Sequence, residues 1–358
     1  MPRHFKPYTV QMSFGQHFMD AAAAKRSFYV ELNKVMNWES ISQLLLEIYP
    51  VGKQSRGQKA YSPLLLFKML LVGQWHKLSD RELELYVWDT LSARHFCGLA
   101  IEDPVPDHST ISRFRTRLVV LGAWDGLLGT VNDQLHGQGM AVTEGAIVDA
   151  SLTESPYSPK GGGRAVVVED RKEARRRMED VREEAVYHAT KQQTHPNADH
   201  DGRWLKKRNQ TIYGYKKHVA TDEAGMILAV HTTPANAHDS KGLVPLIKKV
   251  RTEHRQEVLA DKGYKSKAND EFLAACGSRS RIMHKGYRNR PMNATQSAEN
   301  REISRKRWVV ERTFGSLKRW FGSGSTQLKG LRKVHAEHVM EAIAHNLKRF
   351  PGIAMSMG

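Results

Sequence analysis

The chain is short of carboxylates, of cysteine and of long apolar runs. Among its 358 residues, 38 are Asp or Glu and 55 are Lys or Arg, a formal net charge of +17. A surface so poor in acid repels cations and suits a polyanion, above all a nucleic acid. The rival reading is a merely basic enzyme. The two cysteines, Cys97 and Cys276, are far apart. That excludes a disulfide scaffold and a cysteine-built zinc site, and a reducing cytoplasmic setting is expected. No apolar run approaches the roughly 18 residues of a membrane-spanning helix. The opening "MPRHFKPYTVQMSFGQHF" has no apolar segment of a signal peptide, so no membrane partner is expected. The triple glycine at 161–163 lacks the lysine of a phosphate loop and reads as a hinge, so no small-molecule cofactor is expected. His195, His200, His231 and His238 make no tight ligand spacing beside a cysteine pair. His231 and His238 read as structural or surface residues, with a place near a site as the alternative.

What is present is a packed core. Hydrophobic residues make up 40% of the chain, and its length suggests two domains. Residues 1–20 read as an irregular arm, followed by a helix from Ala21 to Leu46. "PVGKQSRGQKAYSP" reads as a basic linker. Three helices follow: one with Ser62 as cap and Pro63 at its first position, one opened by the capping box Ser79–Glu82, and one capped by Asp107 or Ser109. The first 130 or so residues are therefore mainly helical.

The pattern then changes. Ala146–Val148 reads as a buried strand ending at Asp149, and the turn Asp222–Gly225 joins two strands of a hairpin. A helix opened by Ser240, a strand ending at Asp261, a weaker strand "SRIMH", a long helix capped by Ser297 and a last amphipathic helix complete the chain. That order predicts an α/β fold with a mixed five-stranded sheet and flanking helices. Residues 155–208 are highly charged and read as a solvated insertion.

"RKRWVVERTFGSLKRW" sets a lone acid, Glu311, among Arg305, Lys306, Arg307, Arg312, Lys318 and Arg319. At about 100° per residue, Arg307, Lys318 and Ser304 fall within about 40° of Glu311. Ile303, Val310, Phe314, Leu317 and Phe321 form the neighbouring apolar stripe. Glu311 thus has a rigid platform at the rim of the core. Alone it would do no more than pair with Arg307. Asp149 and Asp261 alter that balance, because an Asp at the end of a buried strand is costly unless it caps, pairs or works. Three oxygen ligands on different elements suit Mg²⁺ or Mn²⁺. Two such ions can activate the attacking oxygen and stabilise the leaving one at a phosphodiester.

"AIVDAS", "VLADKGY" and "RWVVERTFGSLKRW" resemble the three acidic blocks of bacterial insertion-sequence DDE transposases, over residues 60 to 350. "DKGY" and "VERTFG" are most similar to insertion-sequence family five. That family's third block runs tyrosine, two residues, arginine, three residues, glutamate, six residues, lysine. Arg307, Glu311 and Lys318 match it in register, whereas Ser304 stands at the tyrosine position. The resemblance implies an RNase H-like catalytic domain at 140–350, with Asp149, Asp261 and Glu311 holding two Mg²⁺ ions and Mn²⁺ able to substitute. It implies that water is activated to cut at the element's ends and that the 3′-OH then joins target DNA by transesterification. Arg307 and Lys318, with Arg312 and Arg319, would contact DNA.

The resemblance also implies an all-helical DNA-binding domain at 59–135, preceded by an arm and helices at 1–58. Ser109, Thr110, Ser112, Arg113, Arg115 and Arg117 would face DNA as in a helix-turn-helix. The alternative there is a packed helix with an arginine-rich solvent face. The implied partner is double-stranded DNA, both terminal repeats and target, bound by a homodimer or larger assembly near the nucleoid. The rival functions are an RNase H-like nuclease without strand transfer and a non-catalytic DNA-binding descendant of a transposase. A non-catalytic descendant would typically lose one carboxylate, and none is missing here.

Overall fold

The computed structural model describes residues 28–52, 60–138, 145–159, 197–207, 210–251, 255–287 and 291–357. The expected arm, much of the basic linker, the triple glycine, His195 and most of the charged insertion lie outside the described residues.

The N-terminal half is helical. The single helix expected before residue 46 is divided into α1 (Phe28–Val35) and α2 (Trp38–Ile48). Asn37 causes the break, because its side chain accepts a hydrogen bond from Glu39 N and starts a new helix. α3 (Pro63–His76) is apolar nearly all round and is buried along almost its whole length, as the centre of a bundle must be. α4 (Asp80–Asp89) has the expected capping box of Ser79 and Glu82. Thr90 separates it from α5 (Leu91–Cys97), which ends on Gly98 in the left-handed region. α6 (His108–Val120) is capped by Asp107, whose side chain accepts from Thr110 N, and α7 (Trp124–Gly137) follows.

Among the described residues the sheet has six strands rather than five: β1 (Ala146–Glu154), β2 (Arg203–Lys207), β3 (Gln210–Thr221), β4 (Ile227–Pro234), β5 (Glu257–Ala260) and β6 (Arg279–Ile282). The extra strand, β2, comes from the end of the segment expected to be an insertion. Its residues are largely exposed, so it gives no apolar signal in the sequence. The strand order is β2-β3-β1-β5-β6, with β4 also paired to β3. β1 runs antiparallel to β3 and parallel to β5, so the sheet is mixed as expected. The hairpin turn is closed by Asp222, whose carboxylate accepts from Met226 N at 2.8 Å, and by Gly225 at φ 84°.

Helices cover both faces. α8 (Ser240–Lys249) and α9 (Lys267–Ala275) cover one, where Leu243, Leu246, Ile247 and Leu273 pack on Val148, Ala220 and Val258. α10 (Ala294–Phe321) and α11 (Leu331–Met357) cover the other. α10 starts earlier than the sequence suggests: Asn293 and Gln296 form its capping box, and Ser297 donates to Asn293 O from the first turn. The second core is continuous with the helical bundle, running from Tyr29 through Phe67, Leu118 and Ile147 to Ile343 and Phe350. α11 packs against β4, α7, α1 and α3. Trp75 Nε1 donates to Ala344 O at 3.0 Å, which pins α3 to α11.

A polar network crosses this core. The buried Lys217 ammonium donates to Glu341 and Ser323 Oγ. His338 hydrogen-bonds Thr153 Oγ1 at 3.0 Å and Thr232 Oγ1 at 2.8 Å. Burial holds His338 well below the usual histidine range, so it is neutral there. Among the described residues, no helix is long and apolar enough to cross a membrane.

Candidate active site

β1 continues five residues past Asp149 instead of ending there. Side chains alternate along a strand, so Ile147, Asp149, Ser151 and Thr153 share the face under α10 and α11. Ile147 pairs in parallel with Leu259 and Val148 with Ala260. One more step in that register brings Asp149 level with Asp261, just beyond the end of β5. Asp261 also shares the parity of Leu259, so both carboxylates face α10. The Asp261 side chain makes no capping hydrogen bond to the short 3₁₀ turn Lys262–Tyr264. Capping therefore does not explain why an acid stands at this position.

The turn after Asp261 is anchored from behind. The buried Tyr264 hydroxyl hydrogen-bonds His218 Nδ1 at 2.8 Å, and His218 Nε2 meets Thr233 Oγ1 at 3.1 Å. Burial, aided by His231 and Lys216, pushes His218 down to about 3, so it is a neutral strut. Asp239 packs against the same turn and is paired with Lys216 at 2.7 Å. Tyr264 is legible in "DKGY". Its partner His218 is distant in sequence and has no local signature.

From α10, Arg307 reaches under the edge of the helix and is buried. One terminal nitrogen of its guanidinium lies 3.0 Å from Asp149 Oδ2, the other 3.6 Å from Asp261 Oδ1. The expected common face of Arg307, Glu311 and Lys318 therefore divides: Arg307 is buried against the aspartates, while Glu311 and Lys318 are exposed. Burial raises the Asp149 carboxyl above its ordinary range. Arg307 and the Ala150 N–H oppose that rise, whereas the charges of Asp261 and Glu311 add to it. Glu311 is thus near enough to be felt at Asp149. Among the described residues, no three His, Cys, Asp or Glu side chains are grouped closely enough to hold a metal.

Outward from Glu311, α10 is basic and aromatic. Arg312 lies over the Trp308 ring at 4.6 Å and Arg319 over Trp320 at 5.1 Å. Both tryptophans are more than half exposed, at 52% and 58%. Neither was singled out in the sequence, although the four-residue spacing of Trp308 and Arg312 is the signal for such a pair. On α6, Ser109 and Thr110 hydroxyls donate to Asp107, and Arg113 donates to Ser109 O at 3.2 Å. Arg115 is paired with Asp80 on α4, whereas Arg117 is exposed. Ile111, Phe114 and Leu118 form the buried face of that helix.

A mixed sheet with two level aspartates on adjacent strands, under a helix bearing a glutamate, is an RNase H-like core. Residues 144–347 match the transposase DDE domain, and residues 17–117 match a transposase domain (DUF772). The chain is similar to a transposase for insertion sequence element IS1106 from Neisseria meningitidis serogroup B. The two are 35% identical over 237 residues, 66% of this chain and 75% of that protein. No solved structure is matched. The chain belongs to the DDE transposase family, and its function is that of a DNA transposase.

Proposed function

We propose that Asp149, Asp261 and Glu311 are the metal-holding triad of this transposase, binding two Mg²⁺ ions, with Mn²⁺ able to substitute. The observation that carries this reading is the register of β1 and β5, which sets Asp149 level with Asp261 beneath the helix that bears Glu311. The donor chemistry fits: every candidate ligand is a carboxylate oxygen, the set suited to hard divalent cations. Three acids are opposed there by one buried arginine, so cations would relieve charge that Arg307 alone does not balance. When bound, the ions would supply activation of the attacking oxygen and stabilisation of the leaving oxygen at a phosphodiester.

The protein's own groups hold and orient. Tyr264 and His218 fix the turn that carries Asp261. Lys318, Arg312 and Arg319 form an exposed basic surface beside Glu311 suited to DNA phosphate. α6, within a DNA-binding domain at 59–135, offers Arg117 and Arg113, with Ser109 and Thr110. Arg115 would first have to leave Asp80. The substrate is double-stranded DNA, comprising the terminal inverted repeats of an insertion sequence of family five and the target, held by a homodimer or larger assembly. The catalytic domain at 140–350 cleaves at the element's ends and joins the 3′-OH to target DNA.

The test is Glu311→Gln with end-containing DNA and Mg²⁺. The variant keeps the parent's circular dichroism and loses cleavage and joining by at least about a thousandfold, as removal of an essential charged group does. Cleavage and joining at the parent's rate would sink the assignment. A parent that cuts without joining would make it a nuclease.

A further inference from the structure

The arginine of the third acidic block faces inward, onto the carboxylates. Arg307 is 7% exposed, and its guanidinium bridges Asp149 Oδ2 at 3.0 Å and Asp261 Oδ1 at 3.6 Å. The two aspartates stand level on neighbouring strands, so the space between them is the one a shared cation would need. A guanidinium spanning both carboxylates fills that space with positive charge of its own. We propose that Arg307 is an internal stand-in for the metal: it offsets part of the charge of Asp149 and Asp261 while DNA is absent and leaves them for a DNA phosphate when DNA binds, so that metal and DNA binding are coupled. This inference rests on the assignment of Asp149 and Asp261 as ligands and adds regulation to that site.

The fit of Arg307 in its pocket favours exchange over permanence. A guanidinium carries five N–H donors. Among the described residues, Nε is buried without a hydrogen-bond partner, and besides the two aspartates the terminal nitrogens find only the Met283 thioether, at 3.6 Å. A structural arginine in a core is normally satisfied by carbonyls. Arg94 shows the contrast at its terminal end: its Nε is likewise unpartnered, but one terminal nitrogen donates to three carbonyls, on Ala100, Ile101 and Asp103. Arg307 is held almost wholly by the charge of the two acids. Cations on those acids remove that attraction, and a buried, unpaired guanidinium is then costly. A phosphate offers the paired acceptors that its planar fork matches. The surface one to three turns further along α10, with Arg312, Lys318 and Arg319, is where such a phosphate would arrive.

Linkage makes the idea measurable without catalysis. Mn²⁺ binding is followed by calorimetry or electron paramagnetic resonance on the full-length protein, with and without a short mixed-sequence duplex. The parent binds Mn²⁺ about tenfold more tightly with the duplex present, within the usual range of coupling between two sites. Arg307→Gln binds Mn²⁺ about tenfold more tightly than the parent without DNA, and the duplex then adds little. Equal or weaker Mn²⁺ affinity in a folded Arg307→Gln protein overturns the inference, as does a duplex that leaves the parent's affinity unchanged. Should Arg307→Gln fail to fold, Arg307→Lys serves, because lysine keeps the charge but lacks the planar fork whose two terminal nitrogens reach the two acids separately. It shows intermediate tightening, and unchanged affinity there also overturns the idea. Asp149→Asn separates the two claims. If it leaves Mn²⁺ binding intact, the ligand assignment itself fails. If it abolishes binding while Arg307→Gln fails to tighten it, only the role of Arg307 falls.

Discussion

Arg307 and Glu311 are one helical turn apart, yet they live in different media. The helical projection places Arg307 about 40° from Glu311 towards the apolar stripe of Val310 and Phe314. That offset is enough to carry its long side chain under the rim of the core. The sequence shows the offset but not what lies beneath it, because the partners are two strands distant in the chain. The same limit hides Glu337. It sits on α11, partly buried, accepting a hydrogen bond from Thr326, with Glu341 nearby. Burial, with Glu341 adding, pushes its carboxyl up to about 7, against the pull of Thr326, Lys217 and Arg115. A carboxyl raised in the folded state holds its proton there while the unfolded chain releases it, so stability falls as pH rises from about 4.5 to about 7. Glu337→Gln removes that loss. Urea unfolding should show the variant more stable than the parent by roughly 1–2 kcal/mol at pH 8, allowing for solvent screening. The difference should vanish near pH 4.5. A gap that is independent of pH would refute the ionisation.

At the level of elements, the sequence showed strand and helix well where apolar period is the signal. It misplaced the ends where polar residues are buried. β1 looks finished at Asp149 because the apolar run Ala146–Val148 stops there. Its alternate residues instead enter polar surroundings, Asp149 at Arg307 and Thr153 at His338. Both partners come from late helices, so nothing local marks the strand as continuing. β3 has a stricter local rule. Gly214 pairs with Glu154 on β1 and with Arg203 on β2, where β3 passes from β2 to β4. Its φ is 152°, and a Cβ there would lie 2.2 Å from Thr153 O. Gly214→Ala therefore strains the backbone and forces β1 away, costing about 2–3 kcal/mol. Gly315 supplies the contrast: it lies exposed within α10, with open space around its would-be Cβ. Gly315→Ala should stabilise by about 0.5–1 kcal/mol through helix propensity. Thermal melts of both variants check the pair, and a neutral Gly214→Ala would mean that the close approach to Thr153 is absent.

For the molecule as a whole, the excess of base over acid pointed to nucleic acid, and the acidic blocks pointed to the chemistry. Neither said how the helical segment and the sheet are joined. A division near residue 138 looks natural in the sequence, because helical period gives way to strands there. The packing runs through that boundary. α11, at the far end of the chain, carries Val339, Ile343, Ala344 and Leu347 into one core with Leu32, Phe67, Leu71 and Leu127. Asn132 on α7 donates to Ile227 O and Leu228 O at 3.1 Å, so the sheet's hairpin is also tied to the bundle. Removing the N-terminal helices would therefore expose the bundle-facing side of α11 and leave the long helix as an apolar surface of the kind that aggregates. Expressed from residue 139 onward, the remainder should collect in the insoluble fraction or show helical far-ultraviolet signal without fixed aromatic near-ultraviolet bands. The full chain, sharing one core, should lose helix signal and tryptophan burial in a single coincident transition. A soluble fragment with a cooperative melt of its own would show that the bundle and the catalytic sheet are separable after all, and that α11 can be covered by the sheet alone.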